Sequence, residues 1–588
     1  MQAATAAAAY SADALPGYNL QFWEIFKMIR LFDEHSVRIH REIVGLWDLF
    51  VLDNDGERDA GRKAAVPACV ESMEGLYDFR GRVVYKKTVA TGKKNIRLVF
   101  KGVSHTADIY WDGKHIAHHY NAYTQFDVCV CNVQPGEHTL EVYADSSFSD
   151  YSSLHVHNDY RSYGGITRPV VIEELNDAYI RYLHMSTVPN GTAWNLNIKA
   201  YIKSLSDKPE NFKLCCTIAG RTIEFEGAIA GVGVDGECVL ERTVEMDSVC
   251  EWSMENPQMY TLYAVLYNES GDVIDDLADR VGFREVRVEG SEILLNGRPI
   301  YVKGYNRHED YGQLGCAVPT EIMAYDLDII LSTGANLVRT CHYPNDERFL
   351  DMCDERGVLV WEEGHARGLS EERMRNENFK KQSADCLDEM VNNHYNHPSI
   401  IMWGILNECA SDTEYGRECY ALQYAQMRAL DSTRPLTTAT CRHYNDICLD
   451  MPDIIAYNIY PQWYHDQDPV EYLDKLQSWV ETTGGKGKPF IVSEIGAGGV
   501  YGYRTFTGVK WSEDRQSEIL RETFEKYKQL DYLRGIIIWQ FCDCRVDDED
   551  WAWRPKTQNN KGIVDIYRQP KMAYYAAKQG FESIDSYI

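Results

Sequence analysis

From about residue 287 onward the chain repeats one pattern: a short, continuously apolar run, then a stretch with amphipathic helical spacing. The runs are RPIYVKGYN (298–306), ANLVRTCHY (335–343), VLVWEEG (358–364), SIIMWGILNE (399–408), PLTTATC (435–441), DIIAYNIY (453–460), PFIVSEIG (489–496) and RGIIIWQFCD (534–543). Such runs suit parallel strands covered on both faces. Between them lie helical segments. TEIMAYDLDIILSTG is read with Thr320 as N-cap and Gly334 just past its end, and SEDRQSEILRETFEKYKQL is read with Ser512 as N-cap. The eight runs and their helices predict a (β/α)8 barrel over 287–588.

The preceding residues follow another rhythm. VVYKKTVA, IRLVFKGV, ADIYWDGKHIA and HTLEVYAD alternate with turn signals, and the Asp-Gly of WDGK (111–114) predicts a tight hairpin. Residues 28–175 are expected to form a jelly-roll β-sandwich and 176–286 an immunoglobulin-like sandwich of about seven strands. Residues 1–27 read as a loosely attached, alanine-rich extension. The extension lacks the basic start of a secretion signal, so a cytoplasmic location is expected.

A chain of 588 residues exceeds what one core usually organises. Its formal charge of −29 argues against nucleic acid and anionic membrane surfaces as partners, and no apolar run is long enough to span a membrane. The 17 cysteines show no C-x-x-C spacing and are expected as reduced, mostly buried thiols. His115, His118, His119, His155 and His157 cluster in sequence, but in β-rich surroundings with no ligand spacing, and no metal or other cofactor is expected.

A barrel carries its chemistry at the C-terminal ends of its strands. Glu408 ends the fourth run and Glu494 the seventh; His308 follows the first, Arg339 and His342 end the second, Tyr460 ends the sixth, and Trp539 to Asp543 end the eighth. Two carboxylates facing one mouth are what glycoside hydrolysis uses: about 5–5.5 Å apart for retention, about 6.5–9.5 Å for inversion. Glu408 follows an apolar run, so desolvation is expected to keep it protonated as the acid. Glu494, between Ser493 and a glycine-rich turn, is expected to be held ionised by donors. Glu362 and Glu363 are expected to orient the histidines.

KGYNRHED (303–310), RTCHYPND (339–346), NHPSIIMWGILNE (396–408), NIYPQWY (458–464), FIVSEIGA (490–497), NNKGIVDIYRQPK (559–571) and SYGGITRPV (162–170), in this order, resemble glycoside hydrolase family 2, and within it the bacterial β-glucuronidases. The resemblance runs from about Leu46 to the end. It implies Glu408 as acid/base and Glu494 as nucleophile of a retaining, exo-acting enzyme. It also implies sugar contacts from Asp159, His308, His342, Asn407, Asn458, Tyr460, Tyr464 and Trp539. Asn559 and Lys561 match the family's uronate-binding motif, an amide donor and an ammonium for a carboxylate, and Arg554 is a further donor. Ile459 stands where some relatives carry arginine, and Cys409 where proline is common; the latter is expected as a buried thiol.

The reading is therefore a β-glucuronidase acting on glucuronide conjugates or oligosaccharide ends. A β-galacturonidase or β-galactosidase on the same scaffold is the alternative, and a non-catalytic carbohydrate-binding protein a more distant one. Lys561 and Asn559 argue against a neutral galactoside but do not separate glucuronide from galacturonide. The short segment 363–376 points to an open site, and the resemblance implies a homo-oligomer, a tetramer.

Overall fold

The computed structural model describes residues 29–208, 210–229, 236–547, 551 and 553–587. The extension expected at 1–27 lies outside them.

Eight parallel strands close into a barrel: β1 (Val302–Asn306), β2 (Leu337–Thr340), β3 (Leu359–Glu363), β4 (Ile400–Asn407), β5 (Leu436–Thr440), β6 (Ile454–Asn458), β7 (Phe490–Ile495) and β8 (Leu533–Ile538). β8 pairs with β1 to complete the ring. Every residue of β4 is buried, because other strands fill its inner face and helices cover its outer one. Helix α1 (Thr320–Ser332) corrects one detail of the sequence reading. Its N-cap is Pro319, with no side-chain cap, and Thr320 is the first helical residue. Gly334 lies past the end with φ 78°, as a left-handed C-terminal turn requires. Helix α2 (Glu513–Tyr527) starts as expected, the Ser512 side chain accepting from Arg515 N–H.

Two antiparallel sandwiches precede the barrel. The first sets a six-stranded against a four-stranded sheet, the second a three-stranded against a four-stranded one. Burial alternates along Thr106–Trp111 and Ala193–Ser204, where one face of the sheet is wet, whereas Asn95–Phe100 and Val170–Leu175 are buried throughout. The predicted hairpin joins Thr106–Trp111 to Lys114–Tyr120, with Asp112 and Gly113 at φ 49° and 78°.

The first sandwich is locked to the barrel. Arg168 pairs with Glu309 at 2.7 Å, Tyr163 OH donates to Asp310 at 3.0 Å, and Tyr123 stacks on Tyr343 at 3.8 Å. These contacts bring the segment carrying Asp159 over the C-terminal mouth. All 17 cysteines are free thiols, and Cys250 alone is exposed. No helix among the described residues is long and apolar enough to cross a membrane.

Candidate active site

Glu494 sits near the end of β7, buried, with side-chain exposure of 5%. Arg339, from β2, donates to its Oε1 at 3.0 Å, and Tyr460 OH donates to its Oε2 at 2.5 Å. Arg339 itself is fully buried and donates to Glu494, Glu363 Oε2 (2.7 Å), Asn306 Oδ1 (2.8 Å) and Asn407 Oδ1 (2.9 Å), with His342 Nδ1 at 3.4 Å.

Glu408 follows β4 in the left-handed region, φ 53°. This is an uncommon conformation for a residue with a Cβ and is held by the surrounding structure. Its N–H donates to Ala439 O at 2.9 Å, and its carboxylate accepts from Asn458 Nδ2 at 3.0 Å and faces Arg367 at 3.7 Å. Pairing irregularities fall between Gly404 and Asn407, between Tyr457 and Asn458, and between Val492 and Ile495. Such irregularities at strand ends re-aim side chains.

Both carboxylates open on one cavity of about 210 Å³. Asp159, Asn458, Tyr460, Tyr464, Trp539, Arg554 and Lys561 line it too. His308, His342, Asn407 and Asn559 lie just behind the lining. His342 stacks on Trp539 at 5.0 Å, His308 meets the same indole edge-on at 5.4 Å, Asn407 accepts from Asn458 at 3.1 Å, and Asn559 donates to Asp159 Oδ2 at 3.1 Å. Burial pushes both imidazoles well below their usual range, so they are neutral. The His308 Nε2, His342 Nε2 and Asn407 Nδ2 atoms are buried without a protein partner. Asp159 accepts from Arg554 at 3.0 Å and faces Arg367 at 3.1 Å. Burial raises its pKa, but Arg367, Arg554 and Lys561 outweigh that and leave it well below the usual carboxylate range.

The electrostatics reverse one expectation. Burial first, and the charge of Glu408 second, push Glu494 up to about 8, against the donors Arg339 and Tyr460. Glu408, expected to be the desolvated partner, is the more exposed of the two at 19%. The left-handed turn swings its side chain from the apolar strand toward the opening. Glu363 does orient His342, whose Nδ1 lies 2.8 Å from Oε1, whereas Glu362 engages His394 at 2.9 Å instead of the site histidines.

Sequence reasoning missed Arg367 in the segment after β3, and Cys441, His443, His465 and Trp551, which also line the cavity. Position just past a barrel strand was the available signal for Arg367 and Cys441. Cys409 is a buried thiol pushed up to about 12 by burial. His115 and His118 both bond Asp108 Oδ1 at 2.9 Å, and His119 pairs with Glu389 at 3.1 Å. Among the described residues one acid–histidine group is tight enough for an ion, Asp351, Asp354 and His397, but the Arg30 guanidinium occupies Asp351 at 2.7 Å.

The family description "Glycosyl hydrolases family 2, TIM barrel domain" matches residues 286–586. The chain belongs to glycosyl hydrolase family 2. The family's galactose-binding domain-like description matches residues 74–194, and a further family 2 description matches 178–284. This family 2 member is a glycoside hydrolase. A solved structure of a β-galacturonidase from Eisenbergiella tayi, bound to galacturonate, is 48% identical. It covers 95% of this chain and 100% of that one, with a TM-score of 0.92. A β-D-glucuronidase from Dictyoglomus thermophilum is 26% identical over 95% of this chain and 99% of that chain, TM-score 0.82. The β-glucuronidase of Sus scrofa is 27% identical over 72% of this chain, which spans 64% of that protein's length.

Proposed function

We propose that this glycoside hydrolase is an exo-acting β-D-uronidase working with net retention, taking galacturonides ahead of glucuronides. The uronate assignment rests on Lys561. Its ammonium is in the cavity of Glu408 and Glu494, donates to Tyr464 OH at 2.7 Å, and has no carboxylate in ion-pair contact among the described residues. An incoming carboxylate supplies the partner this cation lacks, with the Arg554 guanidinium close by.

In this reading Glu494 attacks the anomeric carbon while Glu408 protonates the departing oxygen. A glycosyl–Glu494 ester forms, and Glu408, now ionised, takes a proton from the water that hydrolyses it. The pair must therefore begin with one proton and one charge. Mutual repulsion in a buried cavity keeps one proton on the pair at neutral pH. The reaction needs that proton on Glu408; Arg339 and Tyr460 donate to Glu494 and stabilise its ionised form, against the burial that pushes it up to about 8. Asn407, oriented by Arg339, has a free Nδ2 for a sugar hydroxyl.

Glucuronide and galacturonide differ at carbon 4 alone, and the resemblance to bacterial β-glucuronidases puts glucuronide first in the sequence reading. The 48% likeness to a β-galacturonidase moves galacturonide ahead. The relatives at 26–27% favour glucuronide as the second reading. A glycoside hydrolase with both carboxylates in one cavity leaves no reason to keep a non-catalytic role. Tetramer formation is a proposal that light scattering decides.

The test is hydrolysis of p-nitrophenyl β-D-galacturonide, β-D-glucuronide and β-D-galactoside by wild type and Lys561→Ala. The expected order of kcat/KM is galacturonide, glucuronide, galactoside. Lys561→Ala should cut the uronide-to-galactoside ratio by about 100-fold. A preference for galactoside with Lys561 indifferent would refute uronate recognition.

A further inference from the structure

Lys561 stands on a short loop, 559–562, whose backbone is held from behind. Asn559 O accepts from Gln540 Nε2 at 3.1 Å, and Asn560 O accepts from Gly499 N at 2.9 Å and from Lys571 Nζ at 3.1 Å. Lys561 O accepts from Gln540 N at 3.0 Å, and Gly562 O accepts from Gln516 Nε2 at 3.0 Å. All four carbonyls are thus engaged. The Gly562 N–H completes the set by donating to Asp543 Oδ1 at 2.9 Å. A Cβ at Gly562 would meet Asp543 N at 2.2 Å, so only glycine lets the loop approach this closely.

Two charges lie at the centre of this arrangement, and neither lines the cavity of Glu408 and Glu494. Asp543 is 1% exposed and Lys571 0%. The Lys571 ammonium donates to Asp543 at 2.6 Å, to Gly499 O at 2.6 Å and to Asn560 O. A buried ion pair is weak evidence of added stability, because desolvating both charges offsets their attraction. Its directional bonds do specify one geometry. Here the bonds run to the loop after β7, the segment after β8 and both faces of the Lys561 loop. They tie the anion-facing ammonium to the strand that carries Glu494.

We propose that Asp543 and Lys571 are positioning residues for substrate charge: they fix where the Lys561 ammonium stands relative to the nucleophile. This rests on the uronate reading above. It goes beyond it in assigning uronide selectivity to two residues that never contact the sugar. Gln516, in α2, is the neutral third anchor.

The experiment compares kcat and KM on p-nitrophenyl β-D-galacturonide and β-D-galactoside for wild type, Lys561→Ala, the double variant Asp543→Asn/Lys571→Met, and Gln516→Met. The double variant leaves no lone buried charge, and Gln516→Met disturbs one anchor alone, so at least one is expected to fold. Displacing a binding group by about 1 Å can cost about 100-fold. The double variant should lose about tenfold or more in the galacturonide-to-galactoside ratio, mainly through KM for galacturonide, and Gln516→Met about threefold. A merely structural role would lower both substrates alike. The proposal is overturned if both anchor variants keep the wild-type ratio while Lys561→Ala collapses it. If Lys561→Ala keeps the ratio as well, the uronate reading falls and carries this inference with it.

Discussion

The ends of β4 and β7 place the same side chain in opposite settings. Glu494 stays inside the barrel wall, bonded to Arg339 and Tyr460 and pushed up to about 8 by burial and by its partner's charge. Glu408 turns through φ 53° and meets the cavity beside Asn458 and Arg367, with almost four times the exposure, 19% against 5%. Hydrophobicity of the preceding strand therefore does not predict how dry its last carboxylate is. One backbone conformation decides it. The difference also suits the proposed division of labour: an enclosed group for attack on carbon, and a group near the opening for proton traffic with the leaving group and with water.

The largest expected effect would break the comparison outright if absent. Glu494→Gln should lower kcat by about 10⁴-fold or more for every leaving group. Glu408→Gln should do so only for poor ones and keep formation of the glycosyl-enzyme with a dinitrophenyl leaving group, which needs no acid; general acid help is worth about 10²–10⁴-fold. Pre-steady-state release of dinitrophenol checks this. Equal losses on that substrate would mean that the two roles are not divided as drawn.

Next come the cations that distinguish the two ends. Arg339→Met removes a charged donor from Glu494 and should cost about 10²–10³-fold in kcat. Arg367→Met, facing Glu408 at 3.7 Å, should cost about tenfold. Steady-state kinetics on a p-nitrophenyl uronide rank them, and a reversed order would put the tighter electrostatic control at β4.

A third measurement sharpens the coupling. The charge of Glu408 raises Glu494, so neutralising it in Glu408→Gln should lower the pKa of Glu494. The acidic limb of kcat/KM on the dinitrophenyl substrate should then move to lower pH, by about one unit. An unmoved limb would show that burial alone sets the titration.

The smallest effect is on stability. Glu494 is raised above its unfolded value, so its folded form holds the proton more tightly. That contribution is fully present below the unfolded carboxylate range and is lost as pH rises toward about 8. Glu494→Gln cannot ionise, and its melting temperature should exceed wild type by about 2 °C at pH 8, with the gain fading near pH 5. Calorimetry at both pH values reads it.

How far the sequence carries depends on what each feature rests on. All eight barrel strands were legible because buried parallel strands are continuous apolar runs, and the Asp-Gly hairpin was legible because only certain residues tolerate its φ values. Glu408 and Glu494 were findable because a barrel puts its chemistry at strand ends. Their relative burial was not, since it follows from the turn at Glu408. Arg367 was passed over because arginines in loops are common, and nothing local shows that it bridges Asp159 of one domain and Glu408 of another. Glu362 and Glu363 are adjacent in sequence but face opposite sides of β3, one toward His394 behind the barrel wall and the other toward Arg339 and His342.

Asp159 belongs to the first sandwich, yet its carboxylate is held by Arg367, Arg554 and Asn559, all from the barrel. The mouth's charge is thus composed across a domain boundary. An exchange of the N-terminal domain between relatives by recombination would rewrite the charge of this candidate site without changing one barrel codon. A barrel cut free of its sandwich would leave three cationic or amide side chains without the acid that arranges them.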